Sequence, residues 1–188
     1  MKAVISLILF LRLTLFSFGQ EKENLFILET DDSWKKELFH FPLSFAPDIH
    51  FTGIEDARFP KGWEDSLSNN FWSYVFAWEI ENDMEPGKKE LEENLKKYFD
   101  GLMGIKNTNV NFTKNQTLND TILFTGTIST IDAFFTKRQM TLNVTAKICH
   151  CTHQKRSIIL FKFSPKEFDN KIWFILEEAT IRKNSCDP

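Results

Sequence analysis

Residues 51–80 read FTGIEDARFPKGWEDSLSNNFWSYVFAWEI, and this stretch decides the fold that we predict for the chain of 188 residues. From residue 71 to residue 80, large aromatic side chains alternate with small ones, which is the period of a β-strand with one strongly apolar face. We therefore predict a core strand at residues 71–80. The whole stretch also holds three of the five tryptophans, Trp63, Trp72 and Trp78.

The segment before this strand is predicted to be a loop. Pro60 and Gly62 lie near the end of residues 53–63, and both residue types interrupt regular structure. The loop and the residues just after it carry the densest mixture of charged and aromatic side chains in the chain, so we expect the functional site here. The candidate ligand-binding residues are Glu55, Asp56, Arg58, Trp63 and Asp65.

The charged residues of this loop admit two interpretations. In the first, Glu55 and Asp56 serve as an acid and a base or bind a hard cation, while Arg58 orients an anionic substrate. In the second, an Arg–carboxylate ion pair and backbone caps hold the loop together, a structural use that resembles a functional site. An open cleft around the carboxylates favours the first interpretation, and capped, Arg-paired carboxylates favour the second.

A helix is predicted after the core strand. Pro86 and Gly87 open it, and Gly101 and Gly104 end it. Between them, apolar side chains recur at helical spacing, with Lys and Glu on the other side: Leu91, Leu95, Tyr98, Phe99 and Leu102. This face is the expected partner of the aromatic face of the core strand, formed by Trp72, Tyr74, Phe76 and Trp78. The alternative is that these aromatic residues line a pocket for sugars or lipids.

The rest of the chain alternates with a period of two, which is typical of consecutive antiparallel strands. The last of these is predicted at residues 172–181, and a short helical turn is predicted near the start, at residues 34–39. The fold class is therefore α+β. We expect a curved antiparallel β-sheet of about six to seven strands packed against one long amphipathic helix, in the order β(β)β-α-ββββ.

Residues 1–19 have the features of a secretory signal peptide. Lys2 precedes a short apolar run, and small residues precede a polar segment that starts at Gln20. The alternative is a membrane anchor, but the run is shorter than the roughly 20 residues that span a bilayer, and Arg12 interrupts it. No later segment is apolar enough for a transmembrane segment. Residues 20–188 are then one predicted α+β domain, exported to the periplasm or secreted.

Composition restricts the classes of function. Removing residues 1–19 takes away Lys2, Arg12 and no acidic residue, so the formal net charge changes from −3 to −5. Nucleic-acid binders need a basic face for phosphates, so we expect no nucleic acid as a partner. Sequence motifs for a serine nucleophile, a P-loop or a dinucleotide cofactor are missing from the sequence, and we expect no cofactor. A monomer is the expected state.

Three cysteines, Cys149, Cys151 and Cys186, are an odd number for an exported protein. Cys149 and Cys151 lie two residues apart on a predicted strand, too far from each other for a relaxed disulfide. We expect one of them to bridge to Cys186 and the other to stay a free thiol. A zinc site that uses these thiolates with an imidazole of His150 or His153 is the alternative, which an oxidising compartment disfavours.

The run GIEDARFPKGWEDSLSNNFWSYVFAWEI, followed by a helix that ends in KKYFDGLMG, resembles a family of uncharacterised exported bacterial proteins. The pattern is G-x-E-D-x-R-F, then a Gly-Trp turn, then F-W-S-Y-x-F-x-W. The resemblance extends to Phe124-Thr-Gly126, Asp132-Ala-Phe134 and Ile172-Trp173, and it covers most of residues 20–188. It implies an exported single domain, periplasmic or secreted, and it implies no activity or ligand.

These observations predict a non-enzymatic binding or interaction domain of the cell envelope or of a secreted protein. Its partner is an unidentified small molecule or an envelope protein. The alternative is a hydrolase-type enzyme that uses Glu55, Asp56 and Arg58.

Overall fold

The computed structural model of the chain describes residues 25–82, 86–118, 121–183 and 185. The predicted signal peptide lies outside these ranges. The described part contains nine strands, two α-helices and one short 3-10 turn, in the order β1 Leu28–Glu29, β2 Lys35–His40, β3 Gly53–Phe59, β4 Tyr74–Glu81, α1 Lys88–Met103, β5 Asn109–Leu118, β6 Thr121–Ile131, β7 Gln139–Cys151, the 3-10 turn Thr152–Gln154, β8 Arg156–Ser164, α2 Ile172–Glu177 and β9 Thr180–Ile181.

Seven strands form one sheet in the order β2-β3-β4-β8-β7-β6-β5, and every neighbouring pair is antiparallel. β1 and β9 form a separate two-stranded antiparallel sheet. The predicted α+β class with an antiparallel sheet is confirmed. In place of one long helix, the described residues contain a helix of 16 residues and a second helix of six residues. The curvature of the sheet stays a prediction.

Helix α1 covers one face of the seven-stranded sheet, here called the α1 face. The helix begins directly after Gly87 and ends at Gly104, whose φ of 67° lies in the left-handed region that glycine adopts without strain. Its apolar side packs onto the aromatic side of β4 and β8, and the two together form the larger hydrophobic core. The helix residues buried there are Leu91, Asn94, Leu95, Tyr98, Phe99 and Met103.

The opposite face of the sheet, here called the α2 face, is covered by β1, β9 and α2. Residues 172–181, predicted as a strand, instead form α2 and the two-residue strand β9. Ile172, Trp173 and Leu176 are buried against Val75 and Leu160 of the sheet. Their spacing places these three side chains on one side of a helical turn, and this burial outweighs the strand propensity of the β-branched and aromatic residues.

Two further predictions near the start of the chain are wrong. Residues 34–39, predicted as a helical turn, belong mostly to strand β2, which pairs with β3 from Lys35↔Phe59 to His40↔Ile54. Residues 53–59, predicted as part of a loop, form β3, a strand with neighbours on both sides. Pro60 and Gly62 mark only the end of this strand. Charged side chains are rarely buried, so the sequence of β3 does not show the alternation of apolar and polar residues that is typical of a strand. In the structure its charged residues are buried.

Among the described residues, no helix combines the length and the apolar character needed to cross a lipid bilayer.

Candidate functional site

Strand β3 divides the candidate residues between the two faces of the sheet. Successive side chains of a strand point to opposite faces, so Glu55 faces α1, whereas Asp56 and Arg58 face α2. The contacts agree: Glu55 is bonded to Trp78 and Tyr98 of the larger core, and Asp56 is bonded to the backbone that precedes β1. The three charged residues are therefore parts of two different structures and do not form one cluster.

Glu55 is fully buried, with 0 % of its surface exposed. Trp78 Nε1 of β4 donates a hydrogen bond to Glu55 Oε2 at 2.8 Å, and Tyr98 Oη of α1 donates one to Glu55 Oε1 at 2.9 Å. Burial raises the pKa of Glu55 from its ordinary value of 4.5 to about 7, although the two hydrogen bonds act in the opposite direction. Near neutral pH this carboxyl group is therefore divided between its charged and uncharged forms.

Glu55 lines a pocket of about 340 Å³ between the sheet and α1, which we call the aromatic pocket. This volume lies at the lower end of the range for small-molecule sites. Nine of the twelve lining residues are aromatic, two are glutamates, and no Lys, Arg or His lines it. The lining residues are Glu37, Phe39, Phe45, Glu55, Phe59, Trp63, Trp72, Tyr74, Tyr98, Leu102, Phe134 and Phe135.

Two polar groups that belong to lining residues have no hydrogen-bond partner among the described residues. These are Trp72 Nε1 and Tyr74 Oη, and both atoms are buried. Burial, together with the negative charge of Glu55, raises the pKa of Tyr74 well above its ordinary value, so its hydroxyl keeps its proton. Trp72 adopts a φ of 52°, a region that residues with a side chain rarely occupy. Buried donors without acceptors are uncommon in native proteins, and they mark a place where a ligand or water can bind.

The loop between β6 and β7 forms part of the pocket wall. Asp132 is buried and shapes this loop, because its Oδ1 accepts hydrogen bonds from the backbone N–H groups of Phe134 and Phe135 at 2.9 and 3.0 Å. Its Oδ2 accepts from the N–H and the hydroxyl of Thr136 at 2.7 and 2.8 Å. Burial opposes ionisation of Asp132, but these bonds outweigh it and lower the pKa. The charged form of Asp132 thus holds the loop in place.

Two phenylalanines of this loop line the pocket and are also exposed to solvent. Phe134 is 51 % exposed and Phe135 is 38 % exposed, which is unusual for side chains of this size. The ring of Phe135 contacts the rings of Trp63 and Trp72 with centroid distances of 5.9 and 5.6 Å. Trp63, a candidate from the sequence, is therefore part of the pocket wall next to Phe135.

Asp56 and Arg58 form a buried structural clamp on the α2 face. Asp56 Oδ2 accepts hydrogen bonds from the N–H groups of Ile27 and Leu28 at 2.8 and 2.9 Å. Arg58 Nη2 donates to the same oxygen at 2.9 Å and to the carbonyl of Leu28 at 3.1 Å. Burial raises the pKa of Asp56 to about 6 against the opposing charge of Arg58. This pair matches the second interpretation of the sequence, in which the carboxylate is capped and paired.

Asp65 has a local role in an exposed turn between β3 and β4. Its Oδ1 accepts a hydrogen bond from the N–H of Leu67 at 2.9 Å, and it does not line the aromatic pocket. Of the five candidate residues, Glu55 and Trp63 are thus brought together at one pocket. Asp56, Arg58 and Asp65 are placed elsewhere.

Cys149 and Cys151 lie at the end of β7 and do not line the aromatic pocket. Cys149 is a free thiol, and Cys151 is disulfide-bonded. Cys186 lies outside the described residues. His150 contacts the hydroxyl of Ser157 at 2.9 Å. In the ranges that the structure describes, no group of three His, Cys, Asp or Glu side chains is placed to hold a metal ion.

Sequence reasoning missed part of the pocket. Trp72 and Tyr74 were expected in the core, with a pocket for sugars or lipids as the alternative, and Phe134 and Phe135 were not candidates. One signal was available: Tyr74 of β4, Tyr98 of α1 and Trp72 just before β4 are aromatic residues whose rings each carry a polar atom that needs a partner. The position of the β6–β7 loop above β4 depends on the order of strands in the sheet, which the sequence does not show.

The chain matches no protein-family model, no curated protein and no solved structure. The resemblance to exported bacterial proteins stays a prediction. We therefore infer function from the geometry of the aromatic pocket.

Proposed function

We propose that this protein is an exported, non-enzymatic binding domain that holds a small, largely apolar molecule in the aromatic pocket. The observation that supports this proposal is the combination of an aromatic lining with buried polar groups that lack protein partners. Small-molecule sites in proteins have this composition: mostly apolar and aromatic walls with a few fixed polar atoms.

The size of the pocket supports a site that receives a ligand. Protein interiors are packed as densely as organic crystals and contain few voids larger than one water molecule. A space of about 340 Å³ is on the order of ten times the volume of a water molecule in the liquid. Its lining includes Trp72 and Tyr74, whose buried donors a ligand carbonyl or hydroxyl could satisfy.

The hydrolase alternative has little geometric basis. It required Glu55, Asp56 and Arg58 to act together, but Glu55 lines the pocket while Asp56 and Arg58 are bonded to each other and to the backbone of Leu28 on the other side of the sheet. A single carboxyl group with a pKa of about 7 could move a proton, yet no Ser, Thr, Cys or His lines the aromatic pocket as a nucleophile or a second acid–base group.

The test is binding of neutral fragments of one or two rings. We expect acetophenone, which has a carbonyl acceptor, to quench tryptophan fluorescence in a saturable manner, because Trp63 and Trp72 line the pocket. Leu102→Trp fills the pocket from α1 and should abolish this binding. Leu67→Ala, at a side chain that is 95 % exposed and lies outside the pocket, is the matched control and should bind like the wild type.

Tyr74→Phe gives a second, independent readout. The variant removes a buried hydroxyl without a partner, so the ligand-free protein should become more stable by about 1–3 kcal/mol, measured by urea unfolding. Its affinity for acetophenone should decrease if the hydroxyl donates to the carbonyl. Binding that is not saturable, or that Leu102→Trp leaves unchanged, would contradict the proposed function.

A further inference from the structure

The charged side chains that line the aromatic pocket are all acidic. Glu37 and Glu55 are the ionisable acidic residues of its lining, and neither Lys, Arg nor His contributes to it. The partners of Glu55 are the two neutral donors Trp78 Nε1 and Tyr98 Oη. No cation contacts the Glu55 carboxyl among the described residues. A buried carboxylate without a cation is unfavourable, and a ligand that carries a positive charge would supply the missing partner.

The aromatic rings add a second attraction for a positive charge. The faces of Trp and Tyr rings are negative, and they attract ammonium groups within about 6 Å of the ring centroid. The lining contains two tryptophans and two tyrosines in addition to five phenylalanines. This set of rings surrounds the same space that Glu55 faces.

One cation of the protein already occupies a similar environment at the edge of the pocket. The Lys35 ammonium group lies 2.8 Å from Glu37 Oε1 and 5.8 Å from the centroid of the Phe59 ring. Glu37 and Phe59 both line the pocket. Lys35 is half-exposed and pairs with Glu37, the outer carboxylate of the pocket. Glu55, the inner carboxylate, has no cation as a partner among the described residues. The chain therefore shows how an ammonium group fits between a carboxylate and a ring of this pocket.

From this charge arrangement we propose that the ligand is an organic cation, an amine or quaternary ammonium compound with an apolar body, whose charged nitrogen lies against Glu55. This inference rests on the proposed function, because it concerns the same pocket. It adds the chemical class of the ligand and the residue that selects it. The apolar body of the ligand would contact the rings of the β6–β7 loop and α1.

Binding of a cation should also release protons. The titratable groups that face Glu55 are Glu37 of β2, Tyr74 of β4 and Tyr98 of α1, with Asp56 next to it on β3. All of them are acidic groups, so none offsets the negative charge of ionised Glu55. A bound ammonium group would favour the ionised form and expel the proton that Glu55 carries in part near neutral pH.

The experiment compares two molecules of the same shape that differ in charge. Benzyltrimethylammonium carries a quaternary nitrogen, and neopentylbenzene has a carbon atom in its place. At about pH 7, we expect the cation to bind at least about tenfold more tightly in fluorescence and calorimetric titrations, a ratio that corresponds to about 1.4 kcal/mol. Calorimetry in buffers of different ionisation enthalpy should detect proton release for the cation and none for the neutral compound.

Variants assign the preference to Glu55. Glu55→Gln keeps an acceptor for Trp78 and should lose most of the tenfold preference for the cation. Glu93→Gln removes one negative charge from the exposed side of α1, and it should retain the preference. If Glu55→Gln does not fold, Glu37→Gln provides the test at the outer carboxylate and should reduce the preference partially.

The outcomes separate the two proposals. Equal affinity for the charged and neutral compounds would overturn the inference and leave the proposed function intact. If neither of the two compounds binds in a saturable manner and acetophenone does not bind either, both the inference and the proposed function are overturned. A preference for the cation that folded Glu55→Gln retains would also overturn the inference, because the selecting charge would then lie elsewhere.

Discussion

At the scale of single residues, two adjacent acids of β3 have opposite roles. Glu55 is held by neutral donors at a pocket, and Asp56 is held by an arginine and two backbone amides beneath β1. Both are buried, so burial alone does not distinguish a functional carboxyl group from a structural one. Their partners differ: Asp56 is paired with the cation Arg58 and two backbone amides, whereas Glu55 is bonded to two neutral donors and has no countercharge among the described residues.

Glu55 should make the stability of the protein depend on pH. Its pKa is about 7 in the folded protein and has the ordinary value of 4.5 when the chain unfolds, so the folded state binds more protons between these values. The contribution of Glu55 is therefore fully present below about pH 4.5 and is lost as pH rises through about 7. A shift of this size corresponds to on the order of 3 kcal/mol.

The measurement is urea unfolding of the wild type and of Glu55→Gln from about pH 4.5 to about pH 8. The free energy of unfolding of the wild type, relative to that of the variant, should fall across this range. Asp56, with a pKa raised in the same direction, contributes equally to both proteins and cancels in the difference. Glu93→Gln serves as the control, and its free energy of unfolding should depend on pH in the same way as that of the wild type. A parallel curve for Glu55→Gln would contradict the expected pKa.

The clamp makes a different prediction for Asp56→Ala. This substitution leaves Arg58, which is 1 % exposed, buried without its charge partner, so the free energy of unfolding should decrease by about 3–5 kcal/mol. Ligand affinity at the aromatic pocket should stay unchanged, because the clamp lies on the opposite face of the sheet. The double variant Asp56→Ala/Arg58→Met removes both charges and should recover much of the stability in the same urea unfolding experiment. Loss of binding in well-folded Asp56→Ala would contradict the assignment of a purely structural role.

At the scale of elements, the register of β2, β3 and β4 builds the pocket. The pairs Phe39↔Glu55 and Glu55↔Trp78 place these three residues side by side on the α1 face, and Tyr98 of α1 reaches Glu55 from above. The sequence predicted the aromatic face of β4 and the helix that covers it. It did not predict β3, because a central strand that contains three buried charged residues contradicts the pattern by which strands are recognised.

Helix α1 lies so close to the turn after β2 that its packing depends on one glycine. A Cβ atom at Gly101 would collide with the carbonyl oxygen of Phe45. A glycine inside a helix is normally about 1 kcal/mol less favourable than alanine. Here we expect the opposite: Gly101→Ala should destabilise the protein in urea or thermal unfolding, because α1 must move away from the turn.

Gly87→Ala is the matched control for this prediction. Gly87 precedes the same helix, its φ of −82° is accessible to alanine, and no atom lies within 4 Å of an added Cβ. This variant should have the stability of the wild type within experimental error. Equal effects of the two substitutions would mean that α1 is not held against the turn. Phe45 also lines the aromatic pocket, so Gly101→Ala should weaken ligand binding as well.

At the scale of the whole molecule, the sheet separates the pocket from the clamp. One face carries α1 and the aromatic pocket, and the other carries α2, β1 and β9. The α+β class and the antiparallel strands followed from local periodicity. Local periodicity did not predict that the pocket and the clamp lie on opposite faces of the sheet. This arrangement arises from contacts between residues far apart in the chain, such as Glu55 with Tyr98 and Asp56 with Ile27.

The cysteines provide a prediction for the intact chain. Cys149 is a free thiol and Cys151 is disulfide-bonded, and the pairing of Cys151 with Cys186 stays a prediction. Alkylation of the unfolded, non-reduced protein should modify one cysteine, and alkylation after reduction should modify three. Peptide mapping should recover a linked peptide that contains Cys151 and Cys186. Modification of all three cysteines without reduction would contradict this pairing.

The buried charges of β3 also bear on how the chain avoids errors while it folds. If β3 paired with β4 one residue out of step, its two sides would be exchanged, and Asp56 and Arg58 would point into the aromatic rings. The amides of Ile27 and Leu28 would then lose their acceptor, and Glu55 would lose both donors. A sheet with this register error would contain several buried polar groups without partners. The mispaired strands should therefore separate faster than the native pair. We therefore expect Glu55, Asp56 and Arg58 together to disfavour any register of β3 other than the native one.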